Sequence, residues 1–166
     1  MPSNPKPLHL MTAREVMTSP ATYVMAETPL KEVAGAMLQA KVSAVPVVGE
    51  GGRLVGIVSE GDLIRRRGSD DGARRSWWLD LFEADAAHSR DFLEYLKRHG
   101  LRAKDVMTRD VIAVEEDTPI VRIAELLDTH AIKRVPVVRG GRLKGIVSRA
   151  DLLRVLAGAL PARGQG

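Results

Sequence analysis

The chain has no cysteine in its 166 residues. This excludes a disulfide framework, a thiol nucleophile and a zinc–thiolate site, and it suits a reducing cytoplasm. Aromatic residues are almost as scarce, at 4%, although hydrophobic residues reach 45%. The core must therefore be aliphatic, built from Val, Ile, Leu, Ala and Met. No apolar run approaches the ~20 residues that a membrane-spanning helix needs, so no membrane partner is expected. The Pro-rich start carries no signal-peptide apolar stretch, so a soluble cytoplasmic protein is expected. Neither a Walker phosphate loop nor a GxGxxG run is present. His9, His88, His99 and His130 have no metal-ligand spacing, and none is paired with a carboxylate or a nucleophile. No catalytic residue and no metal ligand is assigned. Glu115-Glu116-Asp117 precedes a predicted helix start, where negative charge suits the helix dipole, so capping is preferred to metal binding.

Charge of one sign is also limited. The net charge is +4, with a pI of about 9.7. Basic residues are spread out, with one concentration at Arg65-Arg66-Arg67 and Arg74-Arg75. Such a patch reads either as a solvated surface or as a contact for phosphate.

What the chain does have is a repeat. Val16-Met17-Thr18 recurs as Val106-Met107-Thr108. Thr28-Pro29 recurs as Thr118-Pro119, and Val45-Pro46-Val47-Val48 as Val135-Pro136-Val137-Val138. Gly56-Ile57-Val58-Ser59-x-x-Asp62 recurs as Gly145-Ile146-Val147-Ser148-x-x-Asp151. The offset is 90 through Val48 and 89 from Gly51, so the second hairpin is one residue shorter. Repetition this close implies two copies of one structural unit that share a core.

Each copy reads as strand, helix, strand, strand, helix. Thr22 to Met25 and Val111 to Val114 are short apolar stretches. Thr28 and Thr118 are predicted N-caps, each followed by Pro at the first helical position. Ala34, Met37 and Leu38 give helical spacing in the first copy; Ile120, Ile123, Ala124 and Leu127 give it in the second. Ala44 to Val48 and Leu54 to Ser59 flank a Gly-rich turn, as do Val135 to Val138 and Leu143 to Ser148. The fold class is α/β, a small sheet with helices on one side. The expected boundaries are a disordered arm over 1–10, a first repeat over 11–67, a helical insert over 68–100, a second repeat over 101–158 and a tail over 159–166. The insert holds Trp77, Trp78, Phe82, Phe92 and Tyr95, five of the six aromatic residues. Its apolar face, Trp77 to Leu96, packs either on the core or on a second subunit.

The repeated Ser-x-x-Asp lies between a strand and a helix. As a cap, Ser59 or Ser148 would be the N-cap and Asp62 or Asp151 the third helical residue. As a ligand site, the helix start offers unpaired N–H groups and a positive dipole end to a phosphate. The carboxylate can accept from both hydroxyls of a ribose, and Gly56 or Gly145 lets a ligand approach the strand closely. The two readings are compatible.

This paired pattern resembles tandem CBS domains, a CBS pair. The resemblance rests on Val106-Met107-Thr108, Val42-Ser43-Ala44-Val45-Pro46-Val47-Val48 and the doubled Gly-Ile-Val-Ser-x-x-Asp. It covers both copies, about two thirds of the chain. The insert with Ser76-Trp77-Trp78 looks like those of stand-alone bacterial members. The resemblance implies a pseudo-two-fold pair with clefts that bind AMP, ADP, ATP, sometimes NAD or S-adenosylmethionine, as regulatory ligands. It places Asp62 and Asp151 on the ribose hydroxyls, and Ser59 and Ser148 on the phosphate. Val42, Ala44, Ile132 and Pro136 would wall the adenine. Thr18, Thr22, Thr108 and Ile112 would contact the edge of the base. Lys133 and Arg134 stand where members often bind phosphate, or else are solvated. The first copy has Ser43 and Ala44 there, so the two sites are expected to differ. Arg65 and Arg154 read as solvated or partner-facing.

The expected function is a non-enzymatic adenine-nucleotide sensor, a homodimer that signals to an unidentified effector protein. The competing readings are a dimerisation scaffold with empty clefts and a nucleic-acid-binding regulator. The latter lacks a recognition helix with clustered basic residues, so nucleic acid is not an expected partner.

Overall fold

The structure, a computed structural model, describes residues 6–64 and 100–158. The predicted helical insert, the Arg65–Arg75 basic patch and the tail from residue 159 lie outside the described residues. Two compact units divide the chain. One gathers Met1–Ala21, Gly51–Leu54 and Ile112–Gly166; the other gathers Thr22–Glu50 and Val55–Val111. We call them the first and second unit. Each unit therefore combines one copy's sheet with the opening segment of the other copy.

In the second unit, β1 (Val24–Met25) pairs in parallel with β2 (Ala44–Val48), Val24 opposite Val47. Helix α2 (Leu30–Ala40) makes the crossover, and β3 (Leu54–Ser59) lies on the other side of β2. Helix α3 (Glu60–Ile64) follows at once. In the first unit, β4 (Val114–Glu115) pairs in parallel with β5 (Arg134–Arg139). Helix α5 (Ile120–Thr129) makes that crossover. Strand β6 (Arg142–Ser148) runs antiparallel to β5, from Arg134 opposite Ser148 to Arg139 opposite Arg142, with a bulge at Val137/Val138. Helix α6 (Arg149–Leu156) closes the copy. This is the expected strand, helix, strand, strand, helix order, found twice.

Two short helices were not anticipated: α1 (Ala13–Val16) and α4 (Ala103–Val106). Their signal was in the sequence. Glu15 accepts from the Thr12 N–H at 2.8 Å, and Asp105 from the Arg102 N–H at 2.7 Å. An acidic residue three positions after a helix start satisfies one orphan donor. Leu8–Leu10, expected within a disordered arm, is a turn of 3-10 helix.

The cores are aliphatic, as the composition requires. In the first unit Met11, Ala13 and Val16 of the opening segment pack with Ile120, Ile123, Leu127, Val135, Val137, Val147 and Val155. In the second unit Ala103 and Met107 pack with Val24, Val33, Met37, Val45, Val47, Val58 and Leu63. Each fully buried Val or Ile contributes roughly 1.5–3 kcal/mol.

Several local expectations need correction. Leu38 is 80% exposed, and the buried pair on α2 is Val33 and Met37. That i, i+4 pair defines the inward face, and Leu38 lies about 100° further round. Ala124 is likewise exposed, leaving Ile120, Ile123 and Leu127 inward. Thr28 and Thr118 do not cap. The helices start one residue later, with Pro29 and Pro119 as N-caps lacking any side-chain bond. Thr28 Oγ1 instead accepts from the Met25 N–H at 3.0 Å, closing the turn that leaves β1.

Candidate functional site

The site residues inferred from sequence fall into two sets, each inside one unit. Thr18, Ile112, Ile132, Lys133, Arg134, Pro136, Ser148 and Asp151 belong to the first unit; Thr22, Val42, Ala44, Ser59, Asp62 and Thr108 belong to the second. The two threonines of the repeated Met-Thr are exchanged between copies. Thr18 of the first copy bridges Ile146 of the second: its N–H donates to Ile146 O at 2.9 Å and its carbonyl accepts from Ile146 N at 3.1 Å. Thr108 bridges Ile57 in the same way, at 2.9 and 3.0 Å.

This exchange explains the two glycines. A Cβ at Gly145 would stand 2.8 Å from Thr18 O and 2.6 Å from Met17 Sδ. A Cβ at Gly56 would stand 3.0 Å from Thr108 O and 2.8 Å from Met107 Cγ. The expectation that these glycines admit a ligand is therefore corrected. They admit the opening Met-Thr turn of the other copy.

The helix starts follow from local chemistry. Ser148 is the N-cap of α6 and Asp151 the third helical residue. Asp151 Oδ2 accepts from the Ser148 N–H at 2.7 Å and from its hydroxyl at 2.9 Å. Asp62 Oδ2 does the same with Ser59, at 2.9 and 3.0 Å. Both Ser-x-x-Asp motifs are thus capping boxes. The Asp151 side chain is only 4% exposed, and its Oδ1 accepts from Arg154 Nη1 at 2.5 Å. Arg154, read from sequence as solvated or partner-facing, is engaged with this aspartate. The i+3 spacing on a helix was its signal.

Val42 and Ile132, two of the positions expected to wall the base, follow helix ends. Ala131 and Lys41 take left-handed backbone, with φ of 51° and 55°. The next N–H groups then turn back: Ile132 N donates to Leu127 O and Val42 N to Met37 O, each at 3.0 Å. This is a Schellman closure, and it sets Ile132 and Val42 just ahead of their strands. Val42 is 38% exposed and Ala44 is buried.

Along β5 the buried Val135 and Val137 face the core, so Arg134 and Pro136 face the other way. Pro136 is fully buried and sits opposite Ile146, while Arg134 sits opposite Ser148. Lys133 is exposed, and its carbonyl accepts from the Arg149 N–H at 2.9 Å. Arg149 also reaches Ile132 O through Nε at 3.1 Å. Lys133, Arg134 and Arg149 thus cluster where β5 begins and α6 starts. The equivalent residues in the second unit are Ser43, Ala44 and Glu60, with Glu60 N donating to Ser43 O at 2.9 Å. Sequence comparison of the copies contained the Arg149/Glu60 difference, but only strand register placed it beside Lys133.

A family model described as "CBS domain" matches residues 13–69 and 103–158. The chain belongs to the CBS-domain family. It is a CBS pair, with one domain in each match. An uncharacterized protein of Methanocaldococcus jannaschii is 36% identical over 156 residues, covering 89% of this chain and 92% of its own length. The CBS domain of a CBS domain-containing membrane protein from Sphaerobacter thermophilus superimposes with a TM-score of 0.66 at 35% identity, covering 89% of this chain and 88% of that one. The structure of CBSX2 in complex with AMP gives a TM-score of 0.66 at 25% identity, covering 89% and 97%.

Outside the site residues, Glu116 corrects another expectation. It does not cap α5 but turns inward, with a side chain 9% exposed. Its Oε2 accepts from Arg14 at 2.7 Å and from Arg139 Nε at 2.9 Å. The Arg14 hydrogen bond, followed by that of Arg139, holds its carboxyl below the usual range. Among the described residues no group of three or more His, Cys, Asp or Glu could hold a metal ion. Among them, too, no helix is long and apolar enough to cross a membrane.

Proposed function

We propose that this CBS pair is a non-catalytic sensor of adenosine-containing ligands, AMP, ADP, ATP or NAD, that signals to a separate effector protein. One observation carries the reading. Twice, a buried or half-buried aspartate at a helix start stands on the same strand–helix junction that receives a Met-Thr turn from the other copy. Asp62 and Asp151 take the ribose hydroxyls, and Ser59 and Ser148 take the phosphate. Each set has its own residues for a base: Ile132 and Pro136 flank it in the first unit, with Thr18 and Ile112 at its edge, and Val42 and Ala44 flank it in the second, with Thr22 and Thr108 at its edge. The AMP-bound CBSX2 structure supports the ligand class.

The two sets differ in charge. Lys133, Arg134 and Arg149 surround the phosphate end in the first unit, against Ser43, Ala44 and Glu60 in the second. A guanidinium fork suits phosphate oxygens. The first unit therefore takes ATP or ADP over AMP, and the second takes the less charged ligand.

Calorimetric titration of AMP, ATP and NAD tests the reading, with 2′,3′-dideoxyadenosine against adenosine as the ligand-side control. Loss of both ribose hydroxyls should weaken binding about 10- to 100-fold, as expected for hydrogen bonds to a charged group. Equal affinity for the two nucleosides would remove the aspartates from the site. A scaffold with empty clefts is the second reading, favoured by one fact: the capping boxes already satisfy much of each aspartate. Absence of binding by every adenosine compound selects it. Leu153 and Leu156, exposed one turn apart on α6, support a homodimer. Sedimentation of the chain with and without Leu153→Glu tests that part.

A further inference from the structure

We propose that Arg154 is a latch on Asp151, which the diol of a bound ribose must displace. The proposal rests on the reading of Asp151 as the ribose-binding residue. Asp151 Oδ2 is committed to the helix start, through the N–H and hydroxyl of Ser148. Oδ1 is the oxygen that does not hold the turn, and Arg154 Nη1 sits on it at 2.5 Å. A hydroxyl approaching Oδ1 meets that guanidinium.

The two partners differ in freedom. The Asp151 side chain is 4% exposed and pinned, whereas the Arg154 side chain is 52% exposed. The arginine can therefore leave into solvent without disturbing the strand–helix junction. Competition from the ribose hydroxyls is what releases it, because salt screens a pair with one buried partner only weakly. A ligand that needs the latch open binds with an apparent affinity reduced by the fraction of molecules in which it is open.

The experiment uses adenosine, which carries no phosphate, and the full chain with Asp62→Asn to weaken the second unit's set. Affinity is measured for this parent and for its Arg154→Met and Arg154→Gln variants, and melting curves confirm that each folds. Removing the latch should tighten adenosine binding about fivefold or more, through the larger open fraction. Arg154→Lys, which keeps the charge but not the planar fork, should fall between the parent and the neutral variants. Unchanged or weaker binding in both neutral variants, beside clear binding by the parent, overturns the latch. If both neutral variants fold poorly, Arg154→Lys decides, and an affinity no higher than the parent's overturns the latch as well. No adenosine binding by any form overturns the assignment of Asp151 to ribose itself.

Discussion

At Gly145 an added methyl group would meet Thr18 O at 2.8 Å and Met17 Sδ at 2.6 Å. The thioether can swing away, but the carbonyl belongs to a two-bond backbone bridge with Ile146. Gly145→Ala must therefore shift the opening turn, and overpacking of this kind costs roughly 1–3 kcal/mol. Chemical denaturation should show that loss. Gly35→Ala, at a helix position with nothing within 4 Å, should instead be neutral or stabilising. An equal response to both changes would refute the close-approach account. The repeat made both motif glycines visible in the sequence, yet their reason was not legible there. A sequence shows that a strand needs glycine; it does not show whether a ligand or a remote turn comes close. The Ser-x-x-Asp pairs were legible as caps because capping is local. Ser148→Ala should cost about 0.5–2 kcal/mol, the usual value of a lost N-cap, read as a fall in melting temperature.

At the scale of elements, periodicity located the helices and strands but not their limits. Met37, and Ile120 with Ile123 and Leu127, lie on the inward stripe that helical spacing predicts, while Val33, outside the predicted set, completes the face of α2. Leu38 shows the failure: hydrophobicity alone does not say which side of the stripe faces water. Thr28 looked like a cap because Thr-Pro is a common helix opening. Its hydroxyl went to the Met25 N–H instead, since the chain must turn sharply on leaving β1. The four-residue helices α1 and α4 are too short for a periodic signal and showed only through their acidic third residues. Helix ends also carry strain that no pattern announces. Ala131 holds φ at 51°, a region that costs a residue with a Cβ roughly 1–2 kcal/mol. Ala131→Gly removes that penalty and adds back part of it through a freer unfolded chain. The net expectation is a gain of about 0.5 kcal/mol, seen as a higher denaturation midpoint with an unchanged slope. Because Ala131 sets Ile132, the same variant should leave any adenosine affinity within about twofold, as the Schellman bonds persist.

Across the whole molecule the repeat predicted two copies, and two copies exist, but the opening segments are exchanged between them. Nothing in the spacing announced this, because the exchange depends on contacts far apart in sequence, such as Thr18 with Ile146 and Thr108 with Ile57. Among the described residues, each unit holds its borrowed segment with an acid–base clamp. In the first unit Glu116 holds Arg14 of α1; in the second, Glu27 holds Lys104 of α4 at 2.6 Å and Arg102 at 3.1 Å. The Arg14 hydrogen bond lowers the Glu116 carboxyl, and the Lys104 hydrogen bond lowers Glu27, each from an ordinary value of 4.5. A carboxyl lowered on folding contributes stability that is complete above its unfolded value and is lost as pH falls through its folded value. The loss should therefore begin below about pH 4.5 and deepen on further acidification. The two clamps should not respond alike. Glu27 is 60% exposed and open to screening, whereas Glu116 is 9% exposed. Glu116→Gln should flatten the acid limb of the stability–pH curve, and the effect should survive added salt. Glu27→Gln should change it less, and hardly at all in high salt. Denaturation midpoints at pH 7, 4 and 3, with and without salt, decide the matter. An acid limb that Glu116→Gln leaves intact would mean that the borrowed segment is held by its buried Ala13 and Val16 alone.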